Sequence, residues 1–365
     1  MMNLIIDKEN LHQFVRSKNE DSDLHDECLR LLKRQMHVIF HFDEHILTDS
    51  SNKELLEDFI MFGYFTGAGN SDQKSSFEPQ IFNRPMWEIL SSVLLLNDQN
   101  YINNNGLLIG RIGEEHTILS SLFCNKNYDL HTIFDIQKWE NHYAWNKMTE
   151  YILPCTDIVI TDRYILRNQK ERLKNSLYYI LEQISKKHAD LQINLVIFYD
   201  GFTIKPNKEK NSNGGIDRFI RKKEDYQTPK IDQTIKDITK QFKNLFGEKS
   251  YITFVSYKYL IDESFLPLLV EKEKNRPHDR IIITNNRMFR SGDSFCYFDE
   301  KDKLITQGKT LDIDSLANSE AHSIAESIRH DLQMICEENP YIFGDGISNF
   351  IDFSNCSVRP IRGIK

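Results

Sequence analysis

The stretch DIVITDRYIL, Asp157 to Leu166, is the first of three apolar runs that decide the fold of the second half of the chain. The other two are INLVIFY, Ile193 to Tyr199, and YITFVSY, Tyr251 to Tyr257. Each run is short and rich in β-branched and aromatic residues, as is typical of strands buried on both faces. Helical patterns lie between the runs, at Lys170–Lys187 and Ile231–Phe246. This alternation predicts an α/β domain whose mainly parallel sheet carries helices on both faces.

Two more strands and a final helix complete the predicted domain. Arg280–Thr284 and Ser294–Asp299 are the expected strands, joined around a turn that contains Gly292. Ser319–Cys336 is the expected helix. We therefore place the α/β domain at residues 151–340 and treat residues 341–365 as a C-terminal tail.

The first 150 residues predict a mainly helical domain with an interaction role. In DECLRLLKRQMHVIFHF, Asp26 to Phe42, apolar residues recur every three or four positions, as on a helix with one buried face. A second apolar segment, Trp87 to Leu96, follows Pro85, and proline suits the first turn of a helix. A short strand at Leu107–Gly110 and a helix from Glu114 are also expected.

Composition excludes several classes of protein. The chain has 365 residues, of which 40% are hydrophobic, and its net charge of −8 means that any nucleic-acid contact must come from a local basic patch. No apolar run approaches the roughly 20 residues that span a bilayer, and the N-terminus does not resemble a secretory signal. The six cysteines are scattered without a Cys-x-x-Cys pair, as in reduced proteins. We expect a cytoplasmic protein without membrane contact, cofactor or metal.

One segment, RPHDRIIITNNRMFRSGDSFCYFD, Arg276 to Asp299, carries a family resemblance. The signature of the phospholipase D superfamily is His-x-Lys, four residues and Asp, followed downstream by a Gly-Ser turn. The segment resembles it, with His278 at the histidine, Arg280 at the lysine, Asn285 at the aspartate and Ser294 in the turn. It is also similar to the phospholipase-D-like C-terminal domains of MIT-containing proteins, which bind phosphate-bearing surfaces. The likeness covers about Tyr151 to Cys336.

The resemblance implies phosphate chemistry, with two alternatives left open. In the family a histidine attacks phosphorus, a neighbouring cation stabilises the phosphoryl oxygens, and a second histidine protonates the leaving oxygen. This chain has one such motif, so catalysis through His278 would need a dimer, as a metal-independent nuclease. Arg280 in place of lysine and Asn285 in place of aspartate depart from the signature. The other alternative is therefore phosphate binding without catalysis, or a purely structural role for the His278–Arg280 triplet.

The expected function follows from this resemblance. It implies a phosphate-engaging, nucleic-acid-binding sensor or effector component, of the kind that serves bacterial anti-phage defence. The alternatives are an active nuclease dimer and a structural subunit of a protein complex. The expected partners are nucleic acid and a second copy of the chain or a larger protein assembly.

Two other patterns in the sequence are candidate sites. The segment that follows the second predicted strand is basic, and its candidate nucleic-acid-binding residues are Lys205, Lys208, Lys210, Arg218, Arg221, Lys222 and Lys223. Its alternative interpretation is a solvated insertion. The run HFDEH, His41 to His45, formally fits a zinc-protease motif if it lies on one helix, but its flanking sequence lacks the other features of that class. We expect no metal there.

Overall fold

The protein is built from two β-sheets with helices packed against them. The computed structural model describes residues 1–17, 22–42, 45–66, 92–97, 107–138, 145–152, 155–162, 165–166, 174–187, 192–199, 203–204, 226–227, 232–256, 280–292, 295, 297–298, 301, 303–304, 310–338 and 341–360. Among these residues no helix combines the length and the hydrophobicity that crossing a lipid bilayer requires.

A small, wholly parallel sheet lies in the first part of the chain. Its strands are β1 (Met2–Ile6), β2 (Met36–Phe40), β3 (Ser92–Leu95) and β4 (Leu108–Gly110), in the order β2-β1-β3-β4. The helices around it are α1 (Lys8–Arg16), α2 (Ser22–Gln35), α3 (His45–Thr48), α4 (Lys53–Thr66) and α5 (Glu115–Ser120). Apolar side chains are buried on both faces of the strands, so the sheet forms the centre of its own core.

The prediction of a mainly helical N-terminal domain missed this sheet. The helix expected over Asp26–Phe42 ends at Gln35, and the chain continues directly as β2. The residues described in the apolar segment after Pro85 likewise form β3. No glycine or proline separates α2 from β2, and a buried strand of four or five residues cannot be told from a buried helical turn by hydrophobicity alone. The strand near Leu108 and the helix after Glu114 are confirmed.

A large mixed sheet contains most of the remaining strands. These are β5 (His131–Asp135), β6 (Asp157–Thr161), β7 (Asn194–Tyr199), β10 (Tyr251–Ser256), β11 (Arg280–Thr284), β12 (Arg287–Ser291), β13 (Thr310–Ser315), β14 (Ile342–Gly344) and β15 (Val358–Arg359). Their order is β15-β14-β10-β7-β6-β11-β12-β13-β5. Two short strands, β8 (Thr203–Ile204) and β9 (Tyr226–Gln227), form a separate antiparallel pair.

The α/β class is confirmed, but the expectation of a mainly parallel sheet in this region is wrong. Strands β6, β7 and β10 are parallel, as predicted, and so are β14 and β15. The other five of the eight neighbouring pairs described in this sheet are antiparallel. The second hairpin strand is Arg287–Ser291 and not Ser294–Asp299. Local apolar patterns indicate strands, whereas strand direction depends on connections that such patterns do not encode.

Helices cover both faces of the large sheet. On one face the core includes side chains of α6 (Trp145–Ile152), α7 (Tyr179–Lys187) and α8 (Asp232–Phe246), and a single π-helical turn at Lys174–Tyr178 precedes α7. On the other face α9 (Ser319–Glu338) packs against the central strands. The predicted helices at Ile231–Phe246 and Ser319–Cys336 are therefore confirmed to within two residues.

The large sheet extends on both sides beyond the predicted range of residues 151–340. Strand β5, from the expected N-terminal domain, pairs with β13. Strands β14 and β15, from the expected C-terminal tail, extend the sheet next to β10. Gly344 lies with φ +126° so close to β10 that an added Cβ would stand 2.1 Å from the Ile252 carbonyl oxygen. The C-terminal segment is held further at Asp157, whose carboxylate accepts hydrogen bonds from the backbone and side-chain nitrogens of Asn349.

A buried arginine connects the two sheets. Arg287, in β12, is 3% exposed, and its Nη2 donates to the carbonyl oxygens of Ser121 and Phe123, just beyond α5. Its Nη1 donates to the Asn286 carbonyl and to Ser315 Oγ. The guanidinium thus donates hydrogen bonds to carbonyl groups that follow α5, beside the small sheet, and to one that precedes β12 in the large sheet.

Candidate functional site

The carboxyl ends of three parallel strands meet at one edge of the large sheet. In the register, Thr161 pairs with Phe198 and Tyr199 pairs with Ser256, so β6, β7 and β10 all end there. Strand β11 is antiparallel to β6 and begins at the same edge with Arg280. Open α/β sheets bind ligands at this kind of edge.

The Arg280 side chain is held in place at the edge. Its Nη1 donates to the Gly292 carbonyl oxygen at 3.0 Å, and its Nε lies 4.0 Å from Asp162 Oδ1. The Asp162 side chain is 1% exposed and that of Arg280 is 15% exposed. A buried carboxylate and a backbone carbonyl therefore orient a guanidinium that still reaches the surface.

Further hydroxyl groups lie beside Arg280. Ser291, in β12, is its register partner, so the two side chains share one face of the sheet. The Tyr297 hydroxyl donates to Ser291 Oγ at 2.7 Å, and both of these residues are buried. Ser291 and Tyr297 therefore form a buried pair of hydroxyl groups next to the strand position of Arg280.

Asn285, the residue matched to the aspartate of the family signature, lies at the opposite end of β11. It lies five positions after Arg280, which is about 17 Å along an extended strand. Asn285 is 1% exposed, and its Oδ1 accepts hydrogen bonds from the backbone nitrogens of Thr156 and Asp157 at 2.9 and 3.1 Å. The structure does not bring the two residues together, and Asn285 instead fixes the start of β6.

The other predicted residues of this site lie outside the described part of the chain. His278 and Ser294 are among them, as are the basic candidates Lys205, Lys208, Lys210, Arg218, Arg221, Lys222 and Lys223. The described end of β7, at Tyr199, nevertheless shows that the chain leaves the large sheet toward this basic segment from the same edge as Arg280.

The small sheet has its own carboxyl edge, where Asp7 and Asn97 follow the neighbouring strands β1 and β3. The Asp7 nitrogen donates to the Leu95 carbonyl, and the Asn97 nitrogen donates to Asp7 Oδ2 at 2.5 Å. Asp7 Oδ1 accepts from the Asn10 nitrogen and so caps α1. Because β2 lies on one side of β1 and β3 on the other, this is the topological switch point of the sheet.

A second carboxylate, that of Glu115, is buried near Asp7. It is 1% exposed and accepts hydrogen bonds from the Gly113 nitrogen. Burial raises the pKa of Glu115 above its ordinary value, and the charge of Asp7 acts in the same direction. In the described ranges no three His, Cys, Asp or Glu side chains are grouped as metal ligands would be.

A cavity of about 440 Å³ opens beside this edge, and we call it the α1–α4 cavity. Its walls come from α1, from the 3-10 turn Ser50–Asn52, from α4 and from the loop after β4. The lining residues are Lys8, Glu9, His12, Gln13, Ser51, Asn52, Glu54, Leu55 and Ile112. Sequence reasoning did not find it, because its residues come from four separate segments with no shared spacing.

The HFDEH run does not form one helix. His41 follows β2, whereas His45 is the first residue of α3. The two imidazoles therefore lack the one-helix-turn spacing that the zinc-protease motif requires.

Comparisons with known proteins assign no family. The chain matches no protein-family model and no curated protein sequence.

Proposed function

We propose that this protein binds phosphate groups of nucleic acid at the carboxyl edge of its large sheet. Arg280 is the observation that carries the proposal, because it presents a guanidinium at the edge where sheets of this type receive ligands. A planar guanidinium donates paired N–H groups that match two phosphate oxygens, which a lysine ammonium cannot do.

The fixed orientation of Arg280 supports binding. A flexible arginine loses side-chain entropy when it contacts a ligand, whereas one already held by Asp162 and the Gly292 carbonyl loses less. The buried carboxylate also offsets part of the arginine charge, so binding requires further cations near the phosphate.

Further basic residues lie in the sequence next to strands that end or begin at the carboxyl edge of the large sheet. Between Lys205 and Lys230, after the end of β7, there are eight basic and four acidic side chains. His278 precedes Arg280 by two residues. Each basic group that contacts a phosphate releases counterions, which strengthens binding at low salt.

We extend the proposal to the role of a sensor or effector component in bacterial anti-phage defence. Its support is the resemblance of Tyr151–Cys336 to phospholipase D-like proteins, in which Arg280 stands in place of the lysine of the motif and keeps its positive charge. In this role binding, and not cleavage, is the essential property.

The test compares two arginines of the same sheet. Arg290 also pairs with an aspartate, Asp314, but it faces the opposite side of the sheet because it is the register partner of Ile281. We expect Arg280→Gln to weaken the binding of labelled single-stranded DNA or RNA about tenfold, as loss of a charge-assisted hydrogen bond does. Arg280→Lys should recover part of the affinity, and Arg290→Gln, with the same change in charge, should bind as wild type. Fluorescence polarisation over a salt series measures this.

Equal losses in Arg280→Gln and Arg290→Gln would show that net charge alone acts, and absence of binding by the wild-type protein would refute the proposal. Duplex and single-stranded probes incubated with chelator test the nuclease alternative in parallel. Chelator-resistant cleavage that disappears in His278→Ala would establish an enzyme. If the protein neither binds nor cleaves these probes, a structural subunit becomes the better description.

A further inference from the structure

The α1–α4 cavity contains a histidine oriented by a buried carboxylate. His12 Nδ1 lies 2.5 Å from Asp58 Oδ2, and the Asp58 side chain is 3% exposed whereas that of His12 is 43% exposed. Arg16 Nε also approaches Asp58, at 3.4 Å from Oδ1. Since Asp58 occupies Nδ1, the ring nitrogen left for the cavity is Nε2, and it has no hydrogen-bond partner in the described part of the chain. A carboxylate in this position fixes the orientation and the tautomer of the ring.

The location of the pair favours a ligand site over a simple link between α1 and α4. The cavity begins at Lys8 and Glu9, directly after Asp7, at the topological switch point of the small sheet. Its volume of about 440 Å³ is within the range of small-molecule sites. A histidine that served only to hold the helices together would not need a cavity on its other side.

The lining indicates the chemistry of the ligand. Both signs of charge are present: Lys8 Nζ lies 3.5 Å from Glu9 Oε1 on α1, and Glu54, on α4, lies 3.8 Å from Arg16 at an exposed ion pair. Leu55 and Ile112 supply an apolar wall, and the remaining lining side chains are neutral hydrogen-bonding groups. Among the lining residues that the structure describes, the imidazole of His12 is the only aromatic ring, and the two glutamates oppose a polyanion such as a nucleotide.

We propose that the α1–α4 cavity binds a small zwitterion of the amino-acid type and that His12 Nε2 contacts it. The carboxylate of such a ligand pairs with Lys8, its ammonium donates to His12 Nε2 and pairs with a glutamate, and its side chain lies against Leu55 and Ile112. Asp58 is a positioning residue, because it reaches the ligand only through the imidazole. This site is separate from the phosphate site on the large sheet and does not depend on it.

The experiment uses the whole chain and pools of free L-amino acids at millimolar concentration. We expect at least one amino acid to raise the thermal unfolding midpoint and to shift the imidazole ¹⁵N resonances that His12→Gln removes. His12→Gln should weaken that binding about tenfold or more, as loss of a hydrogen bond to a charged group does. N-acetylation or amidation of the amino acid should weaken it similarly.

His131→Gln is the matched control. His131 also pairs with a buried aspartate through Nδ1, at 2.9 Å from Asp314 Oδ1, and its side chain is 41% exposed, but it lies on the large sheet away from the cavity. Its loss should leave amino-acid binding unchanged. Ile112→Trp, which narrows the cavity without touching the ion pair, should abolish binding in a chain that still folds.

Three results would overturn the proposal. The first is a wild-type protein that no amino acid stabilises. The second is an equal loss of affinity in His12→Gln and His131→Gln, or full affinity in His12→Gln. The third is His12-dependent binding of inorganic phosphate or adenosine monophosphate in place of amino acids, which would assign a different ligand class. Nucleic-acid binding by His12→Gln should match wild type, so failure here leaves the Arg280 proposal untouched.

Discussion

The two sheets present polar groups at their carboxyl edges in different ways. On the large sheet Arg280 is itself a strand residue, so its position follows from the pairing of β11 with β6. On the small sheet His12 and Asp58 come from helices, and the packing of α1 against α4 brings them together. A group carried by a strand is fixed by backbone hydrogen bonds, whereas a group carried by a helix depends on side-chain packing between helices. We therefore expect the site on the small sheet to be the more sensitive to changes in its core.

Arg287→Met should have the largest effect, because it removes the connection between the sheets. It removes four hydrogen bonds, two to the buried residues Asn286 and Ser315 and two to the partly buried carbonyl oxygens of Ser121 and Phe123, at a cost of about 2–4 kcal/mol in the free energy of unfolding. Urea denaturation followed by circular dichroism measures the loss. If the two sheets of the variant unfold in separate transitions, the hydrogen bonds of Arg287 are what makes their unfolding cooperative in the wild-type protein.

The half-exposed Arg290 provides the control for this prediction. Arg290→Met removes an arginine from the same strand, but its partner Asp314 also has His131, so we expect a change of about 1 kcal/mol or less. Equal effects of the two substitutions would contradict a special role for Arg287.

Asn285→Ala should have the next largest effect and separates structural from functional residues on β11. The substitution leaves two buried backbone N–H groups at the start of β6 unpaired, so we expect a loss of about 1–3 kcal/mol in the free energy of unfolding. Nucleic-acid binding under conditions where the variant is folded should be unchanged, because Asn285 lies at the edge opposite Arg280. If a fully folded Asn285→Ala variant lost nucleic-acid binding, Asn285 would have to be counted among the phosphate-binding residues.

Glu115→Gln should have the smallest effect, and it concerns the small sheet. Burial raises the pKa of Glu115 in the folded state, so its favourable contribution is present below its unfolded pKa and is lost as the pH rises through the folded value. The variant should therefore gain stability relative to wild type over the pH range that begins at the unfolded pKa of glutamate and extends upward, by about 1 kcal/mol or less. Thermal unfolding across this pH range tests it.

Glu114→Gln is the control for Glu115→Gln. Glu114 is the neighbouring residue and is exposed, and its substitution removes the same formal charge. A stability difference between Glu115→Gln and wild type that does not change with pH would show that the carboxyl group of Glu115 titrates alike in both states.

Elements with a strong local pattern were predictable from the sequence. The strand Arg280–Thr284 begins and ends where its apolar run does, and α8 ends before Gly247, whose φ of +78° suits a glycine at a helix end. Strand β12 was missed because RMFRS carries two arginines, and most hydrogen-bond partners of the buried Arg287 lie far away in the sequence, at Ser121, Phe123 and Ser315. Local patterns do not encode such partners.

The same distinction applies to the candidate sites. Arg280 could be singled out from the sequence because its motif is contiguous; the structure places it at the start of β11, and its role in binding stays a prediction. The His12–Asp58 pair joins residues 46 positions apart on two helices that show no joint motif, so only the folded chain reveals it. Asn285 shows the opposite case. The contiguous motif groups it with Arg280 in one site, but the fold holds the two residues at opposite ends of β11.

The close approach of Gly344 to β10 has a consequence for how the chain folds during synthesis. The parallel strands β6, β7 and β10 leave the ribosome well before β14, which pairs with the otherwise free side of β10. Until then β10 is an unprotected edge, prone to pairing with another nascent chain. Any residue larger than glycine at 344 would prolong that exposure, so translation of such a variant should yield more aggregate even where the finished protein is stable.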